Sequence, residues 1–404
     1  MAKKTIDNPR DHYVELDSLR GIAILGAVMT HIAGFWTATG APLAIPRLDV
    51  DVYNLITFWG SGGVSLFFLL SGYLLSWMEG KRARSGSYSV RSYVLRRVFR
   101  LVPAYYVAIL VVVILWPLKP PYPIDFSAID VLMHALFLQS FTPYTINSLD
   151  PAWWSLTPEI VFYCLLPFIV LKLTRVSQRL ALFGVFAFIA LAGRLYASMA
   201  QIIPDFSSPS SLLSGYVVSV GTSTYYVYIC LAGVLLRMLV EYLNSRPESR
   251  LQLRLAQLSM AIFLIGAASI VALDHLGMKH PLVAEARGQT SWLLIYNIVE
   301  LITIAFFTSV VLGSPLLRAV LRWRFLAFTG MISYSMFVLH NTVLVMVAIP
   351  YFLPVARDWV AGQGSLAVGA VFSSYALAIL AIIFTISYLS YRYIESPFLS
   401  YKPK

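Results

Sequence analysis

DSLRGIAILGAVMTHIAGFWTA, residues 17–38, is a run of 22 residues whose only ionisable side chains are Asp17, Arg20 and His31. A helix rising about 1.5 Å per residue needs about 20 mostly apolar residues to cross the hydrocarbon core of a bilayer. This stretch meets that requirement, and so do 58–78, 98–118, 153–172, 180–200, 215–236, 255–274, 291–312, 325–349 and 366–391. The expected fold is therefore all-α, a polytopic integral membrane bundle of about ten transmembrane helices. A further apolar stretch, IDVLMHALFLQSF at 129–141, is short and broken by Asp130 and His134. It reads as a re-entrant segment that dips in and returns.

Composition agrees. The 404 residues are 59% hydrophobic and 12% charged, against roughly 45–50% and about 25% in soluble proteins, and mean hydropathy is +0.75. So few charges cannot cover a water-exposed surface, which excludes a disordered chain, a nucleic-acid-binding module and a soluble enzyme. The net charge of +11 has its ordinary source in basic cytoplasmic loops.

Those loops set the threading. With the N-terminus cytoplasmic and 129–141 not crossing, the inner segments hold 22 of the 30 basic residues. The outer segments hold five, Arg47, Lys119, Lys279, Arg287 and Arg357, and the helices hold Arg20, Arg100 and Arg194. Letting 129–141 cross would largely erase this asymmetry, so the expectation is ten spans with both termini cytoplasmic in the cell (inner) membrane. The divisions are a cytoplasmic segment 1–16, a transmembrane domain 17–396 and a cytoplasmic tail 397–404. The N-terminus has no compact apolar core ending in a cleavage site, so no removable signal peptide is expected. Cys164 and Cys230 lie in apolar segments without metal-ligand spacing; they read as small hydrophobes, and no metal site is expected.

Function is then sought among polar groups at membrane depth, which are costly unless they line a cavity or pathway. Arg20 and His31 are eleven residues apart, almost three full turns, so they share a helix face with His31 about 16 Å deeper. An imidazole there can take a proton from a hydroxyl and return it, or it can be a structural histidine bonded to a neighbouring helix. Arg97 and Arg100 share a face at i and i+3 in RSYVLRRVFRLVPAYY. They suit a phosphate-bearing ligand, or snorkel as membrane anchors, which fully accounts for Arg96. Glu159, in PAWWSLTPEIVFYCLLP, falls about 10 Å below the outer face; it either orients an imidazole or buttresses the Trp153/Trp154 turn. Glu300 and Arg194 fall at middle depth and could neutralise one another. His340 and Asn341, towards the outer end of the tenth helix, and His134, in the re-entrant segment, are pathway candidates.

The constellation resembles the acyltransferase-3 family of membrane-bound O-acyltransferases over nearly its full length. The pieces, in family order, are LDSLRGIAILGAVMTHIAGF, SGGVSLFFLLSGYLLS, RSYVLRRVFRLVPAYY, PAWWSLTPEIVFYCLLP, ISYSMFVLHN and YRYIESPF. The family's arginine-histidine pattern falls on Arg20 and His31, its arginine pair on Arg97 and Arg100, and its tryptophan-serine-leucine-glutamate element on Trp154, Ser155, Leu156 and Glu159. The resemblance implies transfer of an acyl group, commonly acetyl, from cytoplasmic acyl-CoA to a hydroxyl of a carbohydrate, glycolipid or other glycosylated acceptor. It implies that His31 is catalytic and that the arginines assist the donor. Acyl-CoA is a co-substrate here, and no tightly bound cofactor is expected. No fused SGNH-type domain is expected after the membrane part, and direct acylation of the acceptor is expected with it. Pro158 departs from the family pattern and bears on where Glu159 points.

Two chemistries and two acceptor classes stay open at this stage. Transfer can be direct, with His31 as base, or proceed through an acyl-histidine or an acyl-serine, for which Ser71 in LLSGY is the candidate. The acceptor can be a surface polysaccharide or a diffusible natural product such as a macrolide. From a different class, buried His, Glu and Arg also fit a proton-coupled secondary transporter, although matched broken helices in two halves are not found.

Overall fold

The structure is a computed structural model and describes residues 9–45, 50–118, 126–199, 226–245, 249–279, 292–314, 317 and 320–401. Its elements are α1 (Pro9–Trp36), α2 (Val52–Arg84), α3 (Val90–Leu115), α4 (Ala128–Ala135), α5 (Leu156–Leu171), α6 (Val176–Met199), α7 (Val227–Asn244), α8 (Ser249–Lys279) and α9 (Trp292–Val311). Then come α10 (Arg324–Met331), α11 (Ser333–Val343), a π-helical stretch Leu344–Phe352, α12 (Leu353–Val360), α13 (Ser365–Ser390), a second π turn Tyr391–Glu395 and α14 (Ser396–Leu399). A two-residue antiparallel ladder, Ala44–Ile45 with Val50–Asp51, closes the α1–α2 connection.

Among the described residues nine helices are long and apolar enough to cross a membrane, and Asn297–Val311 is apolar but shorter. The polytopic helical bundle expected from the apolar runs is thus what the chain forms. The first part of the expected 215–236 span, the side chain of Arg194, and several basic residues of the loops, such as Lys119 and Arg287, lie outside the described residues. The expected 325–349 span starts late, because Ile332 separates the short α10 from α11, and the crossing runs Ser333–Val360. Segment 129–141, expected not to cross, holds seven of the eight residues of α4 and a 3₁₀ turn at Gln139–Phe141, too short to cross.

Local chemistry accounts for the helix starts. Asp51 accepts from Tyr53 N at 2.9 Å to open α2, and Ser127 with Asp130 forms a capping box on α4. Phe137 follows α4 at φ 59°, a left-handed conformation that non-glycine residues seldom adopt. It lets the chain reverse and presents the Phe137 carbonyl to Thr157 Oγ1 at 3.0 Å.

α1 lies between two buried apolar clusters. One links it to α2, α3, α5 and α7 through residues such as Leu19, Leu69, Tyr105, Trp153, Phe162 and Ile229. The other joins Ile24, Val28 and Ile32 to Met336, Ile379 and Ile383 on α11 and α13. The apolar windows of α6 and α8 are 6% and 11% buried, against 44% and 50% for those of α1 and α2, so α6 and α8 are the lipid-facing members among the described residues.

Backbone crossings fix the bundle. A Cβ on Gly72 would sit 1.8 Å from the Cys230 carbonyl oxygen, and one on Gly233 2.3 Å from that of Leu69. At the other side of α1, a Cβ on Gly330 would sit 1.8 Å from the Asp17 oxygen and one on Gly21 2.2 Å from that of Leu326. Each pair admits only glycine, and the second places α10 beside Arg20. Both cysteines are free, Cys164 exposed and Cys230 buried.

Candidate active site

Five elements frame a cavity of about 330 Å³. α1 supplies Arg20, Thr30 and His31; α2 supplies Ser61, Phe67, Phe68 and Ser71; α3 supplies Arg97 and Arg100. The turn into α5 adds Trp154 and Ser155, α5 itself Glu159 and Tyr163, and α11 adds Ser333, Tyr334, Phe337 and His340. The structure thereby brings nine of the sequence candidates together: Arg20, His31, Ser71, Arg97, Arg100, Trp154, Ser155, Glu159 and His340.

The two histidines face one another with ring centroids 5.1 Å apart and planes inclined by 56°. His340 Nδ1 lies 2.8 Å from the Phe337 carbonyl oxygen and 3.1 Å from that of Met336. Two acceptors can share only a donor, so the proton of the neutral ring sits on Nδ1 and the lone pair on Nε2. That Nε2 is buried without a hydrogen-bond partner.

The carboxylate is held differently from the arrangement in which it orients an imidazole. Glu159 Oε1 accepts the Tyr163 hydroxyl, one turn further along α5, and the Ser71 hydroxyl at 3.5 Å. Pro158 falls in the first turn of α5, where its missing N–H costs nothing. The helix starts undisturbed, and Glu159 sits near its positive end.

The arginines are not equivalent. Arg20 pairs with Asp17 at 2.9 Å. Arg100 pairs with Glu395, whose second oxygen accepts Ser335 Oγ at 2.9 Å, and its guanidinium lies 5.4 Å from the Tyr334 ring centre. Arg97 lies over the Tyr163 ring at 5.6 Å, and its Nε is buried without a partner. Among the described residues it has no carboxylate within ion-pairing distance. Arg96 points elsewhere, to buried Glu79 at 2.8 Å, which Arg82 also meets at 2.6 Å.

Three sequence candidates lie outside the cavity. His134 is fully buried, with Nδ1 2.9 Å from the Asp130 carbonyl and its ring edge-on to Trp153 at 5.9 Å. Burial lowers its imidazole to about 4. Asn341 is buried and bonds the Asp150 carboxylate. Glu300 is buried and accepts the Tyr228 hydroxyl. Sequence reading missed Tyr163, Tyr334, Glu395 and Glu79. For Tyr163 and Glu395 a signal was present: Tyr163 follows Glu159 at i+4, and Glu395 lies within YRYIESPF.

Fold and site together define a polytopic membrane helix bundle around a largely apolar cavity into which paired histidines, one carboxylate and three arginines project. The family model described as "Acyltransferase domain" matches residues 13–392, so the chain belongs to the acyltransferase-3 family. Among curated proteins it is similar to "Putative O-acetyltransferase" of Staphylococcus aureus (strain COL), 24% identical over 400 residues, covering 95% of this chain and 56% of the relative. It is similar also to "Putative peptidoglycan O-acetyltransferase YrhL" of Bacillus subtilis, 26% identical over 322 residues, covering 75% of this chain and 48% of the relative. The chain therefore spans about half the length of these relatives. A third, "Protein 2 in picA locus" of Rhizobium radiobacter, is 29% identical over 171 residues, 38% of this chain and 80% of the relative. No solved structure matches.

Proposed function

We propose that this chain is a membrane O-acyltransferase that moves an acyl group, acetyl in the first instance, from cytoplasmic acyl-CoA to a hydroxyl of a carbohydrate. The observation that carries this reading is the placement of an imidazole, His31, in one cavity with a guanidinium, Arg97, that has no carboxylate partner. Acyl transfer from a thioester needs a base, an oxyanion donor and shelter from water. Arg97, with Arg20 and Arg100, receives the phosphates of the donor, and the pantetheine arm runs into the helix bundle. His31 takes the proton of the acceptor hydroxyl, whose oxygen bonds to the thioester carbon. The carbon–sulfur bond breaks, and the thiolate recovers the proton from His31. Ser71, Ser155 and Glu159 line the acceptor side, where hydroxyls of a sugar find both donors and acceptors. Direct transfer needs no acyl-enzyme, and Ser71 next to Glu159 serves the acceptor.

The name of the Bacillus subtilis relative, a peptidoglycan O-acetyltransferase, supports a cell-surface glycan as the acceptor class, and the excess of basic residues in the inner segments supports both termini cytoplasmic in the cell membrane. The test is purified protein with labelled acetyl-CoA and a panel of glycan and glycosylated small-molecule acceptors. CoA-dependent labelling that His31→Ala abolishes is the expected result. No labelling and no thioester hydrolysis with any acceptor, or wild-type rates in His31→Ala, overturns the reading.

A further inference from the structure

We infer that His340 is a positioning residue for His31: its Nε2, which meets no donor in the resting cavity, accepts the ring N–H of His31 once the substrates are bound and so turns the opposite nitrogen's lone pair toward the acceptor hydroxyl. The inference rests on the acyl-transfer reading and deepens it. A base on a single imidazole needs its second nitrogen held, because only a fixed tautomer presents the lone pair on the reacting side. The carboxylates at and beside the cavity are engaged elsewhere. Glu159 is taken by Tyr163 and Ser71, and Glu395 by Arg100 and Ser335. Among the described cavity-lining side chains, His340 Nε2 is the buried acceptor left without a partner, and its ring stands 5.1 Å from that of His31. The Met336 and Phe337 carbonyls hold Nδ1 protonated, so Nε2 can only accept. A buried lone pair in such a setting is costly unless something donates to it.

In the reaction the acceptor O–H bond breaks, its proton moves to the cavity-facing nitrogen of His31, and the C–O bond to the thioester carbon forms. The resulting imidazolium carries two N–H groups. One stays on His340 Nε2, and the other returns its proton to the departing CoA thiolate as the C–S bond breaks.

The test separates the two nitrogens of His340. Asparagine places its amide near Nδ1 and keeps the anchor to the backbone carbonyls but offers nothing at Nε2; glutamine reaches the Nε2 position and restores an acceptor there. Rates of CoA release are measured with acetyl-CoA and chitotetraose, or water as the residual acceptor, for full-length protein in detergent. His340→Asn is expected to lower kcat about 10- to 100-fold, as loss of a histidine's hydrogen-bonded outer partner does, with acetyl-CoA KM within twofold of wild type. His340→Gln is expected to recover at least a third of the wild-type kcat at similar thermal stability. The inference is overturned if His340→Asn keeps kcat within twofold, or if glutamine fares no better than asparagine, which marks a packing role. Loss of CoA release in wild type, or its retention in His31→Ala, fails the acyl-transfer reading instead and takes the inference with it.

Discussion

Glu395 is 1% exposed and forms an ion pair with Arg100, while its second carboxylate oxygen accepts Ser335 Oγ. The pair ties the C-terminal π turn to α3 and neutralises one of the three arginines lining the cavity. A buried pair contributes little net stability, but removing one partner strands a charge. Glu395→Ala is therefore expected to destabilise the protein by about 3 kcal/mol, read as a fall in melting temperature in detergent. The Arg100→Met, Glu395→Met double variant should recover most of that loss while remaining slow in acyl transfer. A single variant as stable as wild type would show that the pair does not bind the two segments.

Arg97 has the least compensated charge in the cavity. Arg97→Ala is expected to raise the KM for acetyl-CoA about 10- to 100-fold, the loss of charge-assisted hydrogen bonds worth about 1.5–3 kcal/mol, with a smaller change in kcat. Arg97→Lys should recover only part of the affinity, since an ammonium lacks the planar fork that meets a phosphate. Steady-state kinetics over a range of donor concentrations decides this; an unchanged KM removes Arg97 from donor binding.

The proposed mechanism makes His31 the general base. His31→Ala is expected to cost about 10²- to 10⁴-fold in kcat, the usual contribution of a general base, with little change in the melting temperature. Equal loss of folded protein and activity would instead mark His31 as structural.

The α1–α10 crossing offers a stability test away from the reacting groups. Alanine at Gly330 meets the Asp17 carbonyl oxygen at 1.8 Å, and backbone cannot give way as a flexible side chain can. Gly330→Ala is expected to cost about 1–3 kcal/mol, whereas Gly369→Ala, where a Cβ meets nothing within 4 Å, should leave the melting temperature unchanged. Matching melting temperatures for the two variants would show that α10 can move away at no cost.

Asp150 supplies a pH dependence. It accepts from Ala152 N at 2.9 Å and from Thr342 Oγ1 at 3.5 Å, yet burial pushes its carboxyl up to about 7. An unfolded chain releases this proton near pH 4, so the folded protein holds it more tightly. The group's stabilising contribution is then full below pH 4 and is lost as pH rises through 7. Asp150→Asn is expected to melt higher than wild type at pH 8 and to keep only the smaller part of that advantage at pH 5. A wild type and variant that keep the same difference at both pH values would contradict it.

Much of this was legible in the sequence, for a physical reason: along one helix, spacing alone determines which side chains share a face. Arg20 with His31, and Arg97 with Arg100, are such pairs, and both line the cavity. The apolar runs likewise disclosed the bundle, because a bilayer demands length and hydrophobicity of every crossing. What sequence could not disclose depends on relations between helices. His340 faces His31 only because α11 begins afresh after Ile332, and Asn341, its neighbour in sequence, faces Asp150 instead. His134 was singled out as a polar group at membrane depth, but α4 packs it against Trp153, outside the cavity. Glu159 is held by a tyrosine one turn along its own helix, where an imidazole was one of the two expected roles.

The Arg100–Glu395 contact spans 295 positions of chain. A ribosome delivers Arg100 to the membrane long before it makes the counter-charge, so for most of synthesis this guanidinium is a cation at membrane depth with no carboxylate from Glu395 to meet it. Neutralisation of Arg100 is consequently among the last events of biogenesis. A chain lacking the final π turn leaves Arg100 without this counter-charge, a half-buried cation that costs free energy at membrane depth.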